Sequence, residues 1–270
     1  MASTKNGASD VLDMDLYELS RVHRTLLKLA DKPNWTADDT KSFDCMHYLG
    51  DAAICNAAKE LDVSAGDRVL DIGSGFGVTG RYLHQHHHVS TIGIELQREI
   101  HEIAQTINER SGAGGIATSI NGNFLDLNPD QMGAPVDHVV SFLCILHIPE
   151  RELLFKKAHD VLKPGGRMYI EDFFARTALD EKTRGILCNS ISCPGLPDKS
   201  KYLAELEEAG FQVTCWVDMS KIWTEYVRRR AVDFRSEPSV DTNLTNFYDA
   251  VDEVFSGGQV GGVRITCQKK

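Results

Sequence analysis

One stretch constrains this chain more than any other: Val69-Leu70-Asp71-Ile72-Gly73-Ser74-Gly75-Phe76-Gly77-Val78-Thr79-Gly80. Its apolar start reads as a buried strand, and its alternating glycines read as a turn that opens a helix. Gly73, Gly75 and Gly77 lack the Cβ that would hold a ligand off the backbone, and they tolerate positive φ. A strand, a glycine turn and a helix in that order belong to an α/β sheet, with the ligand at the strand's carboxyl end. Gly75, Gly77 and Gly80 also satisfy the G-x-G-x-x-G spacing of dinucleotide sites. Spacing alone therefore leaves a nicotinamide cofactor open, and so it does a purely structural turn.

Charge at two flanking positions narrows the ligand. Asp71 ends the strand two residues before the first glycine, where a carboxylate repels a pyrophosphate and suits a cation. Glu95 closes the next apolar run, Thr91-Ile92-Gly93-Ile94, where a carboxylate accepts both hydroxyls of a ribose. A ribose and a positive charge without a phosphate describe S-adenosylmethionine. At these residues the chain resembles the class I, Rossmann-like methyltransferases, whose first motif is an acidic residue followed by G-x-G-x-G. The resemblance implies cofactor contacts from Asp71, Gly73, Ser74, Gly75, Gly77, Glu95 and Leu96. It also implies S-adenosylhomocysteine as the product, with no metal.

The rest of the chain alternates as such a fold requires. Strands are expected near 68–72, 90–95, 116–121, 137–142, 166–171, 211–217 and 261–268. Helices are expected near 78–87, 97–110, 150–162, 199–209, 220–234 and 244–256. This predicts a doubly wound, mostly parallel seven-stranded sheet with helices on both faces. Residues 1–10 read as a disordered tail, and 11–65 as an N-terminal helical cover with helices at 12–29 and 51–61. Residues 66–270 form the methyltransferase domain, including a helical insertion before the last strand. Two stretches, 173–197 and 219–258, exceed what the sheet needs and follow strand ends, so they are expected to cap the substrate.

Methyl transfer from a sulfonium is an in-line displacement in which the cofactor supplies the activated group, so no dense catalytic cluster is required. After the third strand, where the family places an acid against the adenine amino group, this chain has Asn123 beside Phe124, with Asp126 as second choice. An amide oxygen still accepts but lacks the charge. The fourth strand runs into Leu143-Cys144-Ile145-Leu146-His147-Ile148-Pro149, which resembles the motif opposite the cofactor's methyl group, with Leu143 on the cofactor. In the phosphoethanolamine N-methyltransferases a histidine there acts as base or orienter, paired with an N-terminal tyrosine. By position His147 matches the histidine, and Tyr48 in His47-Tyr48-Leu49-Gly50 matches the tyrosine; a loop-capping histidine fits His147 equally. Leu162-Lys163-Pro164-Gly165-Gly166 resembles the turn that precedes the fifth strand in this superfamily and carries no substrate information.

Acceptor contacts are expected from Asp172, for a cationic amine, and from Phe173 or Phe174 by cation–π attraction. Tyr226 with Trp223 can add walls or serve as helix-face core, and Arg264 can reach a substrate anion or lie at the surface. The histidines at 84 and 86–88 lack a completing carboxylate or cysteine and suit a helix C-terminus better than a metal. A net charge of −10 disfavours a nucleic-acid partner, and no apolar run reaches the length of a membrane span. Seven scattered cysteines and no secretory signal at the start suggest reduced thiols in the cytoplasm.

The flanking segments look most like small-molecule amine methyltransferases of the phosphoethanolamine and sarcosine/dimethylglycine kind. Three alternatives stay open at this level. A sterol or lipid C-methyltransferase shares the core, a thiol or arsenic methyltransferase would make Cys45, Cys188 and Cys193 converge, and a non-catalytic S-adenosylmethionine-binding partner subunit would keep the glycine loop. The acceptor is a small molecule, and the sequence leaves the oligomeric state open.

Overall fold

Neighbouring residues on the central strands point to opposite faces of a sheet, and in this chain both faces are apolar. The computed structural model of the protein describes residues 19–237, 240 and 242–270. The expected tail at 1–10 and the start of the expected helix at 12–29 lie outside them. The strands are β1 (Arg68–Ile72), β2 (Ser90–Glu95), β3 (Ala117–Asn121), β4 (Val136–Phe142), β5 (Leu162–Ala175), β6 (Phe211–Asp218) and β7 (Val260–Lys269). They form one seven-stranded sheet in the order β3-β2-β1-β4-β5-β7-β6. β7 runs antiparallel to both its neighbours, and the other pairs are parallel. The strand order reverses between β1 and β4, which opens a crevice at their carboxyl ends.

The helices are α1 (Leu19–Leu29), α2 (Ala37–Thr40), α3 (Asp51–Leu61), α4 (Val78–His87), α5 (Arg98–Arg110), α6 (Arg151–Val161), α7 (Glu181–Ser190), α8 (Lys199–Glu208), α9 (Ser220–Ser236) and α10 (Thr242–Ser256). Leu70, Val139 and Ile170 pack with Leu154 and Phe155 of α6 and with Tyr202 and Leu206 of α8. Val69, Val140 and Tyr169 pack on the other face with Ile54 and Leu61 of α3 and Leu83 of α4. Full burial of such a side chain is worth about 1.5–3 kcal/mol, so the alternation itself holds the layers together.

Two further clusters position the site. Val22, Trp35 and Phe43 clamp the N-terminal segment onto Phe76 of the glycine loop and onto Ile100, Ile103 and Ile107 of α5. Trp223 and Val227 of α9, Tyr248 and Phe255 of α10, and Leu187 of α7 enclose Tyr48 and Phe173.

The sheet and its helices follow the expected order, but β5 and the segment after it differ. β5 begins at Leu162, paired with Val136, so the Leu162–Gly166 turn expected before it is part of the strand. β5 continues to Ala175 because its antiparallel ladder with β7 reaches Ala175↔Val260, so Phe173 and Phe174 are strand residues rather than loop. Within 173–197, Asp180 accepts from the Thr183 N–H and starts α7, which places Cys188 on a helix.

Candidate active site

A cavity opens at the carboxyl ends of β1, β2 and β4, beneath residues 44–48 and α10. Its floor is the glycine loop, in which Gly73, Gly75 and Gly77 have φ of 77°, 52° and 82°; Gly73 and Gly75 line the cavity, whereas Gly77 does not and faces Arg81 and Asn108. A Cβ on Gly73 would stand 2.3 Å from Cys144 Sγ, so loop and post-β4 turn meet only because this residue is glycine. The N–H groups of Gly73 and Ser74 both donate to the Ile94 carbonyl at 3.0 Å, which ties the loop to β2.

Two buried acids face this half of the cavity. Glu95 accepts from the Gly75 N–H at 2.9 Å and from the Gln97 N–H at 2.8 Å. The Leu96 N–H bonds the same carboxylate, so of its about four lone-pair sites roughly one remains for a ligand's hydroxyl. Burial raises the Glu95 pKa. Burial also pushes Asp71 up to about 7, opposed by a hydrogen bond with Thr79 and reinforced by the charge of Glu95. Asp44, Asp71, Glu95 and Glu150 line the cavity, and among the described residues no lysine or arginine does. That donor set fits S-adenosylmethionine, with its sulfonium and ammonium, and does not fit a pyrophosphate. Ser74, Leu96, Asn123, Phe124 and Leu143 line the cavity too, and Asp126 does not. The Asn123 Oδ1 expected for adenine accepts the Leu125 N–H at 3.0 Å.

The other half of the cavity is built on the turn after β4. Leu143 adopts φ 53°, a left-handed conformation rare for a branched residue, and leads into a 3-10 turn, Ile145–His147. His147 Nδ1 lies 3.0 Å from the Ser192 carbonyl. A carbonyl only accepts, so Nδ1 carries the hydrogen and the neutral ring's Nε2 carries a lone pair. Burial lowers the His147 pKa, which keeps the ring neutral. Tyr48 lines the same cavity, with its ring 4.9 Å from Trp223, 5.3 Å from Tyr226 and 6.2 Å from Phe173. Burial pushes its phenol well above the ordinary value. Met46, Phe173, Ile191, Phe247 and Tyr248 complete this apolar half.

Four residues expected against the acceptor stand elsewhere. Asp172 is fully buried, accepting from the Leu146 N–H and the Tyr202 hydroxyl. Phe174 points to the opposite sheet face from Phe173 and meets Trp216 at 5.4 Å, as strand alternation demands. Tyr226 backs Tyr48 from outside the cavity, beside fully buried Trp223. Arg264 donates to Glu171 at 3.2 Å and lies 3.6 Å from Glu60, neither of which lines the cavity. None of Cys45, Cys188 and Cys193 lines it, which removes the convergence a thiol or arsenic acceptor site would require. Among the described residues no group of three potential ligands gathers as a metal site.

Several residues that line the cavity or hold its wall from outside carry no sequence signal. Arg81 donates to both carboxylate oxygens of Asp44, at 2.5 and 2.6 Å, and also to the Phe76 carbonyl at 2.6 Å and Asn108 at 2.7 Å. This latches the segment bearing His47 and Tyr48 over the glycine loop. Its partners are 37 positions apart, beyond any local pattern. Phe247 and Tyr248 sit on a helix whose apolar spacing announces only a buried face.

Comparisons with known proteins agree with this geometry. The family model for mycolic acid cyclopropane synthetase matches residues 45–236. Methyltransferase GfsG of Streptomyces halstedii is 26% identical over 187 residues, which is 68% of this chain and 66% of that protein. Phosphoethanolamine N-methyltransferase 1 of Triticum aestivum is 31% identical over 200 residues, 73% of this chain but 39% of the wheat protein. This chain thus spans about two-thirds of the first relative and well under half of the second. In fold, the cyclopropane synthase MmaA2 from Mycobacterium tuberculosis matches with a TM-score of 0.76 at 18% identity, over 99% of this chain and 100% of that one. The geranyl diphosphate C-methyltransferase of Streptomyces coelicolor A3(2) matches with a TM-score of 0.75 at 16% identity, over 100% of both. The chain belongs to the mycolic acid cyclopropane synthetase family and is an S-adenosylmethionine-dependent methyltransferase.

Proposed function

We propose that this enzyme methylates a nitrogen or oxygen that carries a proton, on a small acceptor with an apolar body, an amine being the first candidate. The observation that carries this reading is the fixed tautomer of His147, with Nδ1–H committed to Ser192 and Nε2 left to accept. When bound, S-adenosylmethionine supplies the activated methyl group. As the acceptor atom takes the methyl, it releases a proton, and His147 Nε2 takes that proton.

Recognition of the acceptor rests on shape and aromatic contact. Asp44 is committed to Arg81, Asp172 lies beneath the cavity, and Glu150 is exposed to solvent. The faces of Tyr48, Phe173, Phe247 and Tyr248 exclude water and favour a group that becomes cationic as it is methylated. Tyr48, packed between Phe173 and Trp223, keeps its phenol protonated and orients the acceptor by a hydrogen bond. The names of the relatives span N-, O- and C-methyltransferases, so the acceptor class rests on His147 rather than on them.

The test is His147→Gln, which retains a polar side chain and cannot take a proton. Turnover should fall about 100-fold or more while cofactor affinity stays unchanged. The wild-type rate should be flat through neutral pH and fall in acid, below the ordinary histidine range, as the ring protonates and stops accepting. A variant with wild-type turnover contradicts the reading and favours an acceptor that needs no base.

A further inference from the structure

Beneath the cavity lies a buried network that serves neither cofactor nor acceptor directly. Asp172, at the end of β5, accepts the Leu146 N–H at 3.2 Å through Oδ1 and the Tyr202 hydroxyl at 3.0 Å through Oδ2. Arg151 Nη1 lies 3.7 Å from Oδ2, and Arg151 Nε donates to Glu205 at 2.7 Å. The guanidinium lies 4.2 Å over the Tyr202 ring, and neither of its Nη atoms makes a hydrogen bond. Asp172, Tyr202, Glu205 and Arg151 are all buried.

A buried ion pair is weak as a source of stability, because desolvation cancels most of its attraction. An apolar residue at 172 would serve the sheet as well. What an apolar residue cannot do is accept the Leu146 N–H, which lies in the 3-10 turn that carries His147. Leu143 enters that turn in a left-handed conformation, so the turn does not follow from β4 by regular extension. It is fixed from two sides, by Asp172 under Leu146 and by the Ser192 carbonyl on the His147 ring.

We propose that Asp172 is a positioning residue for His147: its carboxylate, oriented by Tyr202 and Arg151, sets the turn so that the imidazole faces the reacting atoms. The proposal rests on the assignment of His147 as base. Freeing the turn leaves the cavity and its cofactor half intact and misplaces the ring, and a displacement near 1 Å costs on the order of 100-fold in rate.

The experiment is a double-mutant cycle read as kcat, acceptor KM and cofactor Kd, using Asp172→Leu, Asp172→Asn, His147→Gln and the pair Asp172→Leu with His147→Gln. Asp172→Leu should lower kcat at least tenfold with acceptor KM and cofactor Kd unchanged. Asp172→Asn should recover most of that rate, because its amide oxygen still accepts from Leu146. In the His147→Gln background, Asp172→Leu should cost nothing more, since a base already absent cannot be misplaced. An equal loss from Asp172→Leu in both backgrounds overturns the proposal and leaves His147 as base, and so does a loss from Asp172→Asn as large as that from leucine. Wild-type turnover by His147→Gln would instead remove the base assignment itself. Should Asp172→Leu fail to bind cofactor, Tyr202→Phe carries the same cycle. Its smaller loss of kcat must vanish in the His147→Gln background, and a loss of equal size there overturns the proposal.

Discussion

Asp71 shows what a single residue contributes here. Its carboxyl, pushed up to about 7 by burial, is half protonated near neutral pH. A sulfonium nearby favours the charged form, so cofactor binding should expel a proton at and below neutral pH. Affinity for S-adenosylmethionine should therefore rise as pH increases through about 7 and level off above it. Calorimetry in two buffers of different ionisation enthalpy should detect the released proton, and Asp71→Asn should abolish it. Binding that is independent of both buffer and pH would contradict this role. Asp71 and the glycines are legible in the sequence because their meaning is local, a strand end and a turn within a few positions of each other, and Glu95 is legible because it closes the next apolar run. Asp172 and Arg264 are not, because the partners that claim them, Tyr202, Arg151, Glu171 and Glu60, come from elements that the chain brings together only on folding.

Among the elements, the decisive contact lies between the segment before α3 and the helix after the glycine loop. Arg81 on α4 holds Asp44 with both side chains nearly buried, and Phe43 meets Phe76 edge-on at 5.2 Å. These contacts close the N-terminal cover over the loop and set Tyr48 in the cavity wall. Arg81→Ala leaves Asp44 buried without its cation, a loss of about 3–5 kcal/mol for a buried pair. Thermal unfolding should fall by several degrees and cofactor Kd should rise. An unchanged melting temperature together with an unchanged Kd would show that the latch carries no load. A helical cover was readable from apolar spacing, yet its attachment was not, since no period connects residues 44 and 81. In the same way α7 escaped detection because its one clear signal, the Asp180 cap, precedes a sequence with few apolar residues.

Over the whole molecule, the alternation of strands and helices specified the sheet and its crevice, and the family match to residues 45–236 agrees with that order. Among the described residues no helix is long and apolar enough to cross a membrane. The net charge of −10 finds its counterpart inside, where four carboxylates and, among the described residues, no lysine or arginine line the cavity. The acceptor was less legible than the cofactor because its half of the cavity is assembled from five separated segments: residues 46–48, the turn at 143–148, Phe173 of β5, Ile191 after α7, and α10. Incubation with methyl-labelled S-adenosylmethionine and a pool of apolar amines, alcohols, alkenes and thiols, read by mass, tests the central claim most directly. The account predicts label on a nitrogen or oxygen that carried a proton, with S-adenosylhomocysteine released in equal amount. Label on an alkene carbon or a sulfur would contradict the proposed acceptor class, and tight cofactor binding with no product from any class would contradict catalysis by this cavity.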